Sequence, residues 1–276
     1  MELSEVRRHF AALVSQPQGA FRLAEGALLI AQEEYPELSI ASCLARIDAM
    51  AETLKTEIGF ELDPQRLVAR INTYLFDEQQ FRGNVANYYD PRNSFLNEVL
   101  ERRLGIPLTL SVLYIEVGRQ IGLPIVGVGM PGHFLVQYTA QPEPFWLDPF
   151  HRGQVLQHED CQARLQEIYG QQLSWQDTYL QPISDHAILW RMLNNLKSIY
   201  IRQGDYRRAL GVIDRILLLH PERPIEVRDR GLVHAQLGHV QAALDDLQRY
   251  LELFREAPDA SMITRYISAL RRQLES

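Results

Sequence analysis

Apolar residues recur every three or four positions through most of the first 77 residues, a spacing that predicts a run of helices. Val6, Phe10, Leu13 and Val14 mark the first, from Ser4 to about Val14. Phe21, Leu23, Ala24, Ala27, Leu28, Ile30 and Ala31 make a broad apolar face on a second, Gly19 to Glu34, closed off before Pro36. Leu44, Ile47, Met50 and Leu54 predict a third over Ala41 to Glu57. Asp63 and Pro64 form an N-cap and first-turn pair for a fourth, which carries Leu67, Ile71 and Leu75.

The pattern then changes. Residues 81–93 are polar and aromatic, with Gly83, Asn84, Asn87, Asp90, Pro91 and Asn93 as turn formers, so a loop is expected there. A helix from Phe95 to Leu104 is broken at Gly105-Ile106-Pro107, and Pro107 suits the first turn of the next, Leu108 to Ile121. That helix is apolar on every face, the mark of a buried one. Three short turn-bounded runs follow, IVGVGM, HFLVQY and PFWLDPF, which predict a small antiparallel sheet with His133 and Asp148 on its strands. One more helix is expected at Glu159–Tyr169, then a connection to Pro182 and a boundary near Ile183 to Asp185. The resulting domains are 1–183 and 184–276.

The second domain reads as wholly helical and repetitive. GDYRRAL at Gly204–Leu210 returns as GHVQAAL at Gly238–Leu244, 34 residues later, which is the tetratricopeptide period. Leu196, Tyr200, Gly204, Tyr206, Ala209 and Pro221 fill one repeat. Gly231, Gly238, Ala243 and Leu247 continue the next, with Arg255 where a closing Pro is expected. Small residues belong where paired helices approach closely. A helix over Ser261–Leu274 caps the open end that such an array leaves.

Composition narrows the functional classes. The 276 residues are 46% hydrophobic and 23% charged, ordinary for a globular chain, and the net charge of −7 argues against a nucleic-acid scaffold. The segment MELSEVRRHFAALVSQ lacks the unbroken apolar core of a signal peptide, and no stretch reaches the roughly 20 apolar residues of a membrane span. A cytoplasmic protein without membrane partners is expected. Cys43 and Cys161 stand alone, without the spacing of a zinc site or disulfide framework.

GN-x(3)-YYDP-x-NSFLN at Gly83–Asn97, LERR-x-GIP at Leu100–Pro107, LSVLY at Leu110–Tyr114, PGHFLV at Pro131–Val136 and DPF at Asp148–Phe150 together carry a family resemblance. With the repeats behind them, the chain resembles the bacterial SirB-type proteins over nearly its whole length. The resemblance implies an α+β fold: a helical N-terminal layer, a transglutaminase/papain-like core with a small antiparallel sheet, and an all-α tetratricopeptide module. In the wider transglutaminase-like superfamily a Cys at the start of the central helix, a His on one strand and an Asp on the next form the site. By that resemblance His133 and Asp148 take the His and Asp positions. The Cys position falls near Leu108, with Thr109 and Ser111 the only hydroxyls at hand.

Two functions follow. In one, the core is non-catalytic or degenerate and the chain acts as an interaction or regulatory protein, binding a protein or peptide at its repeat surface. In the other, it is a hydrolase or acyltransferase on an amide or ester, with Ser111 or Thr109 attacking and His133 as general base, oriented by Asp148. A hydroxyl's high intrinsic pKa makes that base indispensable. Tyr88, Tyr89, Asp90, Asn93, Arg102 and Arg103 form a candidate ligand-binding set: the loop as a pocket wall, the arginines as carboxylate receivers. The same residues also read as core cover, a turn and a solvated helix face. His133, Asp148 and His151 make a loose His/Asp/His set whose spacing matches no strong ligand motif, so neither metal nor cofactor is assigned.

Overall fold

In the computed structural model, which describes residues 4–59, 63–140 and 143–275, the helical layer opens with α1 (Glu5–Val14), capped by Ser4, whose Oγ accepts from the Arg7 N–H. The second helix, α2 (Leu23–Gln32), begins later than the apolar spacing predicts. The chain first turns from Pro17 to Ala20, with Gly19 at φ +78°, a left-handed conformation that suits glycine. Eight of the ten α2 residues are buried. Helix α3 (Ile40–Ile58) ends at Gly59 with φ +58°. Asp63 caps α4 (Pro64–Asn72) by accepting from the Gln65 N–H, and a π-helical turn, Thr73–Glu78, prolongs it.

The middle of the chain forms the core. A two-residue parallel ladder joins β1 (Arg82–Gly83) to β2 (Leu104–Gly105), on either side of a 3-10 turn at Pro91–Ser94 and helix α5 (Leu96–Arg102). Helix α5 is shorter than predicted because Arg103 adopts φ +60° and stops it. Helix α6 (Pro107–Gln120) has Pro107 in its first turn and is buried without interruption from Pro107 to Gly118. It packs against α3 and two strands, β3 (Ile125–Val128) and β4 (Leu135–Tyr138). Each fully buried Leu, Ile or Val there contributes about 1.5–3 kcal/mol of hydrophobic stabilisation, so α6 anchors the domain.

The sheet has five strands where three were expected. β5 (Phe145–Asp148), β6 (Gln154–Leu156) and β7 (Pro182–Ile183) complete an antiparallel order β6-β5-β4-β3-β7. The two unpredicted strands are its edges: β6, Gln-Val-Leu, is too short for an alternating pattern and mostly exposed, and β7 is two residues at the end of the segment read as a connection. Helix α7 (His158–Tyr169) follows β6. One placement is corrected. His133 is not on a strand; it closes a turn, Met130–His133, in which Gly132 has φ +69° and the His133 N–H reaches the Met130 carbonyl. Pairing of β4 therefore starts only at Leu135. Asp148 is the last residue of β5.

Internal contacts divide the chain into compact units 1–192 and 193–276. The division falls inside helix α8 (Asp185–Gln203), beyond the expected boundary at 183. The second unit continues with α9 (Tyr206–Leu219), α10 (Pro224–Gln236), α11 (Val240–Leu253) and α12 (Ala260–Glu275). The 34-residue period is a backbone period too. Gly204 and Gly238 have φ +72° and +75°, and His220 and Phe254, closing α9 and α11, share ψ 76°. A Cβ on Gly231 would meet Leu247 Cγ at 2.9 Å, the close helix approach for which a small residue was expected.

Candidate functional site

Asp148, at the end of β5 and fully buried, is the centre of the site. Its Oδ1 accepts from the backbone N–H groups of Phe150 (3.1 Å) and His151 (3.3 Å), because the chain turns into a short 3-10 helix at Pro149–His151. Its Oδ2 accepts from His133 Nε2 and from His151 Nδ1, each at 2.8 Å. Arg164, reaching in from α7, brings Nη2 to 3.7 Å of that same oxygen. Burial alone would raise the Asp148 carboxyl, but the hydrogen bonds of the two histidines outweigh it and hold the group well below the usual carboxylate range.

His133 is nearly buried, and its position depends on a residue far along the chain. Arg191, on α8, donates from Nη1 to the Gly129 carbonyl (2.7 Å) and from Nη2 to those of Met130 (3.1 Å) and His133 (3.2 Å). This fork clamps the turn that presents the imidazole. Among the described residues Nδ1 of His133 accepts no hydrogen bond, and it is not among the enclosed unpaired atoms. The ring therefore has one nitrogen held by Asp148 and the other open, the posture of a general base.

The nucleophile side differs. Leu108 occupies the position near the start of α6, 7% exposed. Thr109 Oγ1 donates to the Asn93 carbonyl at 2.7 Å and accepts from the Ile106 N–H at 3.2 Å, so this hydroxyl is engaged in closing the helix start. Ser111 is fully buried, and its Oγ is enclosed with no partner among the described residues. Cys161, buried in an apolar cluster with Val128, Met130 and Trp146, is near enough to Asp148 to feel its charge. Burial foremost, then Asp160 and Asp148, push its thiol up to about 12. Cys43 is buried on α3.

The candidate ligand-binding residues fall into two groups. Tyr88, Tyr89 and Asp90 line an open pocket of about 520 Å³ with Ala86, Asn87 and Arg92. Phe150 links this loop to the buried pair, its ring edge-on to Tyr88 at 6.1 Å and to His133 at 6.2 Å. Gly83 makes room for it, since a Cβ there would lie 2.6 Å from that ring. Asn93 is buried and shapes the loop from beneath: its Nδ2 donates to the Asn87 and Tyr88 carbonyls, and its Oδ1 accepts from Asn84. Arg102 lies 3.5 Å from Asp90, whereas Arg103 turns away to stack over Phe81 at 4.5 Å. Sequence reasoning missed Arg164 and Arg191. From the sequence their segments read only as helical, and nothing along the chain points a cation at a residue 16 or 58 positions away.

A profile for the transglutaminase-like superfamily matches residues 41–194, and one for tetratricopeptide repeats matches 196–268. A UPF0162 protein of Xylella fastidiosa (strain Temecula1) is 40% identical over 245 residues, covering 87% of each chain. A UPF0162 protein of Vibrio cholerae is 30% identical over 252 residues, 91% of this chain and 93% of that one. F-box only protein 21 of Homo sapiens is 28% identical over 253 residues, 79% of this chain and 39% of that protein.

Proposed function

Given that the chain belongs to the transglutaminase-like superfamily, with tetratricopeptide repeats behind its core, we propose that it is a non-catalytic member that acts as an interaction or regulatory protein in the cytoplasm. The observation that carries this reading is the start of α6. Leu108 stands where the nucleophile belongs, the Thr109 hydroxyl is engaged between Ile106 and Asn93, and the Ser111 hydroxyl is enclosed. Acyl transfer needs an accessible nucleophile within reach of its base. None of these three side chains offers His133 an accessible nucleophile.

The repeat unit supplies a surface for a partner. Ile201, Tyr206, Leu232, Val233, Met262 and Tyr266, from α8, α9, α10 and α12, line an apolar groove of about 700 Å³. Repeat arrays bind extended or helical peptides along such faces, and a protein or peptide partner docks here. In support of a soluble role, among the described residues no helix is long and apolar enough to cross a membrane.

The open Nδ1 of His133 and the 2.8 Å bond from its Nε2 to Asp148 favour the second reading, a hydrolase or acyltransferase on an amide or ester. Assays of the full chain on activated esters and amides, with and without His133→Ala, separate the two. The expected result is background hydrolysis in both proteins and no labelling by serine- or cysteine-directed acylating probes. Turnover that disappears in His133→Ala would establish the enzyme instead.

A further inference from the structure

We propose that His133, Asp148 and His151 form a divalent-metal site of the two-histidine, one-carboxylate kind, with zinc as the reference ion. An ion held this way excludes a general-base role for His133, whose proton then sits on Nδ1.

Three donor atoms, His133 Nε2, Asp148 Oδ2 and His151 Nδ1, lie within 4.8 Å of one another, and both nitrogens are 2.8 Å from the oxygen. Ligands bound at about 2.0–2.2 Å around a tetrahedral zinc sit roughly 3.4 Å apart, so the cluster becomes a coordination face when the two nitrogens move away from the oxygen and towards each other, each by less than about 1 Å. The carboxylate is already oriented for it. The Phe150 and His151 N–H groups fix Oδ1 and leave Oδ2 to the ion, as the outer partners of metal-bound carboxylates do. Each imidazole needs only to carry its proton on the other ring nitrogen, which has no protein acceptor among the described residues. Asp148 is fully buried but the His151 side chain is 40% exposed, so an ion enters from the His151 side and keeps open positions there for water or an oxygen ligand.

Arg164 is the opposing term. Its Nη2, 3.7 Å from Asp148 Oδ2, occupies part of the positive charge's place. It also has an alternative partner, Glu167, at 3.3 Å, to which it turns as the ion arrives. The competition makes affinity sensitive to Arg164 in a direction that a generic surface site does not share. A decoy lies in the repeat unit, where the His234 and His239 Nδ1 atoms are 3.2 Å apart.

The test is titration of the full chain, stripped with a chelator and dialysed, with Co²⁺ and then Zn²⁺, following the cobalt ligand-field spectrum and competition with a chromophoric chelator. One ion per chain is expected. His151→Gln, whose side-chain amide can still donate to Asp148, weakens binding at least about tenfold, and Arg164→Gln tightens it about threefold. His239→Gln leaves it unchanged. No stoichiometric binding, binding that survives both His151→Gln and His133→Gln, or binding lost in His239→Gln would overturn the assignment.

Discussion

Burial pushes the Cys161 thiol up to about 12, with the Asp160 and Asp148 carboxylates adding to the effect, and this has a consequence for stability. In the unfolded chain the same thiol, with its ordinary value of 9.0, loses its proton above that pH. Between the two values the folded protein binds more protons than the unfolded one, so stability falls as pH rises from about 9 towards 12. The slope reaches at most about 1.4 kcal/mol per pH unit. Urea midpoints measured across that range are expected to fall more steeply for the natural chain than for Cys161→Ala. Equal slopes would mean that the thiol is not the responsible group. The same burial explains why a cysteine so near Asp148 is no substitute nucleophile: almost none of it is thiolate at neutral pH.

Helices behave as the apolar spacing demands, and their exceptions have local causes. Arg103 at φ +60° stops α5, and the turn at Pro17–Ala20 delays α2. In the repeat unit α8 and α10 are joined by something spacing does not reveal. Lys197 Nζ, with its side chain 8% exposed, donates to Glu226 at 2.7 Å and Asp229 at 2.9 Å. Removing one partner of a buried ion pair leaves an uncompensated charge, which costs about 3–5 kcal/mol, whereas replacing both by apolar groups is often neutral. Lys197→Met is therefore expected to lower stability by about 3 kcal/mol, and Lys197→Met with Glu226→Leu to recover most of it. Denaturant melts of both variants measure this, and a double variant no better than the single one would contradict it. Asp229 keeps Arg228 at 2.8 Å in either case.

Across the molecule, all three tryptophans, Trp146, Trp175 and Trp190, belong to the unit 1–192, while helices are spread over both units. Tryptophan fluorescence therefore follows the first unit, and far-UV circular dichroism follows both. Lys197→Met is expected to advance the dichroism transition in urea while the fluorescence midpoint stays in place, separating two curves. Equal shifts in both would mean that the two units melt as one. The division inside α8 rather than before it has a plain reason: Asp185, in its first turn, is forked by Arg119 of the core at 2.9 Å, while Lys197, three turns on, serves the repeats.

The one-dimensional pattern determined whatever rests on repeating local geometry. The buried α6, the His133 to Asp148 spacing, the 34-residue period and the absence of a sulfur nucleophile near Leu108 were all legible, because helical periodicity, glycine placement and residue identity are properties of neighbours along the chain. Only the tertiary structure decided which groups share an oxygen atom. That His151 joins His133 on Asp148, that Arg164 competes for the same atom, that Arg191 holds the His133 turn and that Thr109 is engaged at the helix start all depend on distances between segments. Those distances are set by how the sheet and α6 pack, where a shift of an ångström makes or breaks a hydrogen bond and no spacing in sequence encodes it.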